Sequence, residues 1–122
     1  MAIINLTSEQ ENGILYVTWA GLNGADTGYP FANSSMFSDK TVQFFGTFDG
    51  KTVILEGSND PRVIYDPENA VWFTLTDPSS TAISKTSASG EAVLENPRYI
   101  RPSVSGPSGA AAITDILAAK CF

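Results

Sequence analysis

Histidine is absent from the 122-residue chain, and cysteine occurs once, at Cys121. Without histidine, the commonest general base, the base of the hydrolytic triads and the commonest zinc ligand are all missing. A lone cysteine cannot close an internal disulfide, so nothing ties the chain to an oxidising compartment. Basic residues are scarce too: seven Lys and Arg stand against thirteen Asp and Glu, a net charge of −6. Nucleic-acid binding rests on a basic stripe that displaces counterions from phosphate, so no nucleic-acid partner is expected. No apolar run approaches the roughly 20 residues of a membrane-spanning helix, and no membrane partner is expected. No Lys or Arg precedes Lys40, and the first apolar run stops at Asn5. A secretory signal is therefore not expected, and synthesis is placed in the cytoplasm.

What is present is a foldable composition. Apolar residues make up 43% and charged residues 16%, too apolar and too weakly charged for a disordered chain. The length fits one domain over residues 1–122. Turn-forming residues cut the apolar sequence into short runs: Ile14 to Trp19, Thr41 to Phe45, Lys51 to Glu56, Arg62 to Tyr65, Val71 to Leu75, Thr81 to Ser84, Glu91 to Leu94 and Arg98 to Arg101. Short runs at this spacing predict an all-β fold, an antiparallel β-sandwich. Asp49-Gly50 reads as a hairpin turn between the second and third runs, because both residues tolerate positive φ. Pro97 and Pro102 bracket the last run and suit an edge strand or a strand end.

The stretch from Ala110 to Lys120 supports two readings. Ile113, Ile116 and Leu117 lie at helical spacing and the alanines favour helix. At period 2, Ile113, Asp115, Leu117 and Ala119 make a poor strand face, although a last strand closing a sheet also fits a sandwich.

Two segments stand outside the strand pattern: an amino-terminal arm over about 1–12 and a long loop over about 20–39. Loops of that length inside a compact domain are often functional. Tyr29, Phe31 and Phe37 in the loop are either tucked over an end of the sandwich or offered, with Met36, to a partner. Ile3, Ile4 and Leu6 give the arm an apolar side that suits strand addition to a neighbouring sheet edge. These seven residues are the candidate interface. Of the strand aromatics Phe44, Phe45, Trp72 and Phe73, at least half are expected in the core.

Catalytic equipment is thin. Glu56, Asp60, Asp66, Glu68 and Asp77 supply carboxylates of the kind a glycosidase pairs across a sugar. Asn59, Asp60, Asp66, Glu68 and Asn69 cluster oxygen donors of the kind calcium takes, but not at EF-hand spacing. Asn-Asp-Pro and Asp-Pro-Glu-Asn read more simply as turns. No catalytic residue, cofactor or metal is expected, and the chain is not expected to be an enzyme.

Two stretches carry a resemblance. The first is Val42-Gln43-Phe44-Phe45-Gly46-Thr47-Phe48-Asp49-Gly50-Lys51-Thr52-Val53-Ile54-Leu55-Glu56-Gly57-Ser58-Asn59-Asp60, continued by Trp72-Phe73-Thr74-Leu75-Thr76-Asp77. The second is Glu95-Asn96-Pro97-Arg98-Tyr99-Ile100-Arg101-Pro102-Ser103-Val104-Ser105-Gly106. Together they resemble the small β-sandwich proteins encoded beside the major capsid protein in tailed bacteriophages. The resemblance implies a jelly-roll-like head decoration, or cement, protein. Such a protein is a structural part of the virion on the capsid exterior. It bridges subunits of the major capsid protein and self-associates as a dimer or trimer. The piece Leu55-Glu56-Gly57-Ser58-Asn59-Asp60, with Trp72 downstream, is also similar to discoidin-like jelly rolls that bind sugars or lipid headgroups. It implies the alternative of a carbohydrate- or receptor-binding module of a phage tail.

Overall fold

The computed structural model describes residues 2–107 and 110–121, so all of the arm but Met1 is covered. Among the described residues eleven strands form two sheets. The first sheet runs in the order β1 (Ile3–Ile4), β4 (Thr27–Gly28), β10 (Tyr99–Ser105), β6 (Thr52–Ser58) and β7 (Phe73–Thr74), and β8 (Ser84–Lys85) also pairs with β6. The second runs β2 (Leu6–Glu11), β3 (Ile14–Leu22), β11 (Ala112–Lys120), β5 (Lys40–Thr47) and β9 (Ser89–Ala92). Every pairing is antiparallel except that of β1 with β4. The chain is an antiparallel β-sandwich of jelly-roll-like type.

Period-2 alternation builds the core. On β5, Lys40, Val42 and Phe44 are buried while Thr41, Gln43 and Phe45 face out. Trp19, Phe44 and Leu117 of the second sheet meet Leu55, Ile100 and Val104 of the first in one buried cluster. Each such side chain contributes roughly 1.5–3 kcal/mol of burial. Phe44 is wholly buried, but Phe45 is 39% and Phe73 44% exposed and Trp72 is half-buried, so fewer strand aromatics enter the core than expected.

Asp49 and Gly50 do turn the chain at positive φ, 49° and 78°, and Lys51 N–H donates to Phe48 O at 2.9 Å. The turn does not close a hairpin, however. β5 pairs with β11 and β9 while β6 pairs with β10, β7 and β8, so the turn is a corner between sheets. The tight hairpin lies at Asn12-Gly13 (φ 52° and 80°), joining β2 to β3 with Glu11 opposite Ile14. Most of the arm is therefore a strand of its own sandwich. Its polar run Thr7-Ser8-Glu9-Gln10-Glu11 shows no apolar alternation, because it lies at the edge of the second sheet.

Arg62–Tyr65, read from sequence as a strand, is a single α-helical turn, α1. Pro61 caps it, the Asp60 carboxylate accepts from Arg62 N–H at 2.9 Å, and Asp66 N–H closes back on Arg62 O at 2.8 Å. Side-chain bonds of this kind favour a turn over a ladder. A 3₁₀ turn, Pro67–Asn69, follows directly.

Residues 112–120 settle as a strand at the centre of the second sheet, between β3 and β5. The face that reads poorly from sequence is the buried one, because it carries Asp115 into the core. Pro102 lies inside a central strand, not at its end. Ile100 N–H donates to Phe31 O and Val104 N–H to Asp26 O. The nitrogen of the residue midway between them therefore faces the same side, where Gly28 leaves room for the proline ring.

The segment over 20–39 is pinned rather than free. β3 extends into it, β4 lies within it, and Ser34–Met36 forms a 3₁₀ turn. Buried Lys40 donates from Nζ to Ser34 O, Phe37 O and Asn96 Oδ1, and its burial lowers the ammonium pKa.

Candidate functional site

An apolar groove of about 170 Å³ opens on the outer face of the first sheet. Its walls come from four parts of the chain: Ile3 of β1, Tyr29 after β4, Ile64 of α1 with Pro67 beyond it, and Trp72 before β7, with Arg101 of β10 at the floor. Ile3 is 58% and Ile64 61% exposed, and Tyr29 is half-exposed. Tyr65, Val71 and Phe73, chain neighbours of the lining residues, are exposed as well. An apolar groove with exposed walls is the kind of surface on which protein interfaces are built.

A polar scaffold fixes the walls. Asp60 Oδ1 accepts from Arg62 N–H at 2.9 Å, and Oδ2 accepts from Arg62 Nη2 at 2.8 Å and from Val71 N–H at 3.0 Å. Ser58 Oγ donates to Val71 O at 2.7 Å and accepts from Asp60 N–H at 3.0 Å. These bonds clamp both ends of the segment that carries Ile64 and Pro67. The hydrogen bonds from Arg62 and from backbone N–H groups hold the Asp60 carboxyl well below the usual carboxylate range.

The opposite wall is tied down by Asp26. Its Oδ1 accepts from Ala2 N–H and its Oδ2 from Asn23 N–H, each at 3.0 Å, which sets β1 and Ile3 beside Tyr29. On the floor, Arg101 Nε donates to Glu56 Oε1 at 3.0 Å, and its guanidinium carbon lies 3.9 Å from the centre of the Trp72 ring. The ion pair and the cation–π contact together fix the indole.

The seven candidate interface residues separate. Ile3 and Tyr29 line the groove together. Ile4 and Leu6 are partly buried against the core. Phe31 is buried, bridged to Ile100, and its ring lies 6.2 Å from that of Phe37, which is partly buried too. Met36, at 76%, is exposed but does not line the groove. Ile64, Trp72 and Arg101 line the groove although the sequence does not single them out, because their runs read as strands. Only the proline-flanked acids around Arg62–Tyr65 signal the helical turn that presents Ile64. In the acidic stretch 59–69, Asp60 is held as above and Asp66 accepts from the Asn69 amide at 2.9 and 3.2 Å.

A second, polar cleft of about 360 Å³ lies on the outer face of the second sheet, lined by Ser8, Glu9, Tyr16, Thr18 and Ile116 among others. Among the described residues no three His, Cys, Asp or Glu side chains converge as metal ligands.

No family model matches the chain, and no curated protein matches it. Among solved structures it is similar to the SPBc2 prophage-derived protein YomS, with a TM-score of 0.56 at 11% identity, over 90% of this chain and 98% of that one. That likeness is one of fold. Weaker similarities, with TM-scores of 0.42 and 0.39 and 10% identity each, link it to the Schizosaccharomyces pombe Cnp3 cupin domain and to protein NMB1881 from Neisseria meningitidis. The chain is covered to 94% in both cases, and those proteins to 63% and 82%.

Proposed function

We propose that the protein is a structural component of a bacteriophage particle. It decorates the capsid exterior and bridges subunits of the major capsid protein through the groove on its first sheet. The observation that carries the reading is that groove: exposed Ile3, Tyr29 and Ile64 held in place by Asp26, Asp60 and Arg101. The near full-length likeness to a prophage-derived protein supports the phage setting. The acidic balance suits a capsid exterior better than a surface against packaged DNA. On this reading the protein is made in the host cytoplasm, acts by buried area rather than catalysis, and self-associates as a dimer or trimer. Many copies on a symmetric shell act by avidity even where one contact is modest.

Co-sedimentation with undecorated capsids of the encoding phage tests this. Saturable binding at a fixed copy number, with shells that resist heat better when decorated, is the expected result. Absence of binding overturns it.

One observation favours a second reading, a carbohydrate- or receptor-binding module: the polar cleft that sets Tyr16 among Ser8, Glu9 and Thr18. An aromatic face beside hydroxyl and carboxylate groups suits a sugar ring. Binding on a glycan array that is lost in Tyr16→Ala would favour it over capsid decoration.

A further inference from the structure

The rim of the groove on the first sheet is acidic in a specific way. Five carboxylates neighbour the lining residues along the chain or by contact: Asp26 next to Thr27, Glu56 paired with Arg101, Asp60 bonded to the Val71 N–H beside Trp72, and Asp66 and Glu68 on either side of Pro67. The two arginines there are both already engaged, Arg62 with Asp60 at 2.8 Å and Arg101 with Glu56 at 3.0 Å. Asp26, Asp66 and Glu68 have no cationic partner among the described residues. The groove is therefore apolar within and net negative around.

A second copy of the chain fits this poorly. A two-fold contact brings a patch against itself, and among the described residues this patch holds no uncommitted cation to set against its own carboxylates. The whole chain, at −6, adds to the repulsion. Complementarity calls for an occupant with an apolar anchor and positive charge on its flanks.

We propose that the groove takes a peptide segment of another protein, in which one or two apolar side chains enter between Tyr29, Ile64 and Trp72 while Lys or Arg residues on either side face Asp26, Asp66 and Glu68. The inference rests on the groove being the docking face. It assigns the chemistry of the capsid segment, or other partner segment, that the face accepts. Apolar burial supplies most of the affinity, and the charges supply selectivity and association rate.

Selection from a displayed library of random short peptides tests it, with immobilised wild-type protein as bait and the Ile64→Asp variant as counter-bait. Ile64 is exposed, so the variant keeps its fold. The expected outcome is enrichment of sequences pairing an aromatic or aliphatic anchor with Lys or Arg. Synthetic versions should bind about tenfold or more weakly to Ile64→Asp, as for a central anchor. Their affinity should fall several-fold as salt shortens the Debye length from roughly 10 Å to about 3 Å, and Glu68→Lys should reduce it further.

Enrichment of acidic or uncharged sequences overturns the proposal, and so does no enrichment beyond that on Ile64→Asp. Concentration-dependent dimerisation that Ile64→Asp abolishes assigns the groove to a second copy and overturns it as well. Capsid binding that persists in Ile64→Asp sinks this proposal while leaving decoration itself standing.

Discussion

Asp115 and Trp19 are cross-strand partners on β11 and β3, both wholly buried, yet only one of them has its polar atoms satisfied. Trp19 Nε1 donates to Tyr29 O at 2.9 Å, whereas both carboxyl oxygens of Asp115 have no hydrogen-bond partner among the described residues. Lys40, on the same face of β5, donates elsewhere. Burial alone pushes the Asp115 carboxyl well above its ordinary value of 3.8.

The sign of the pH effect follows. The folded-state pKa lies above the unfolded one, so the favourable contribution of protonated Asp115 is complete below 3.8 and is lost as pH rises toward the folded value. Each pH unit in that window costs at most about 1.4 kcal/mol. Asp115→Asn removes the dependence while keeping the shape. Urea unfolding from pH 4 to pH 8 should show the variant gaining on the wild type as pH rises. The difference isolates Asp115, because every other carboxylate is shared. Parallel pH curves for the two proteins would show that this carboxyl does not titrate on unfolding.

A second prediction concerns the floor of the groove. Arg101 is mostly covered, with its head group over Trp72 and paired with Glu56. Arg101→Ala should cost about 1 kcal/mol, from the lost cation–π contact and a partly shielded ion pair. It should also shift the Trp72 emission to the red as the indole is released. Arg101→Lys keeps the charge but not the planar stack, and should fall between the two. Unchanged emission in Arg101→Ala would mean that the indole is held by its other neighbours.

The sandwich was legible because turn residues punctuate short apolar runs, and that punctuation survives into the structure at β3, β5, β6 and β10. The departures have physical reasons. β11 was ambiguous because Asp115 interrupts its core face, and no local rule places an unpartnered carboxyl inside a sheet. The Arg62–Tyr65 run has strand-like residues, but the bonds of Asp60 to backbone N–H groups outweigh that propensity. Pro102 is tolerated in a central strand only because Gly28, distant in sequence, sits opposite the missing N–H. Two of the groove's lining residues, Ile3 and Tyr29, stand out in the sequence as apolar residues in unpatterned segments. Ile64 and Trp72 join them through tertiary folding of the 59–72 segment, and Arg101 from β10, neither of which periodicity reports.

That segment supplies the third prediction. Asp60 accepts from the N–H groups of Arg62 and Val71, eleven residues from Asp60 itself, and so closes a loop with one side chain. Asp60→Ala should raise amide exchange at Arg62 and Val71 by an order of magnitude or more, with the sheet amides of β6 and β10 little affected. Because the folded carboxyl is held below its unfolded value of 3.8, the wild type should lose this protection as pH falls beneath that value, the reverse of the Asp115 effect. Uniform exchange changes across the sheet would instead assign Asp60 to global stability.

The fourth prediction tests the close approach that lets Pro102 sit where it does. A Cβ on Gly28 would come within 2.5 Å of Pro102 Cδ and of Trp19 Cδ1, and 2.6 Å of Trp19 Nε1. Neither ring can retreat: the indole is wholly buried and bonded to Tyr29 O, and Pro102 is buried in a strand paired with β6. Gly28→Ala should therefore cost about 3 kcal/mol, the upper end of overpacking by one methyl. The mobile partner would be β4, only two residues long. If it yields, Tyr29 and Ile3 move with it, and peptide or capsid binding at the groove should weaken in step with stability. Thermal unfolding together with a binding assay separates the cases. A fully stable Gly28→Ala would show that β4 shifts freely and that the groove is adjustable. A destabilised protein with normal binding would show that the groove forms independently of this contact.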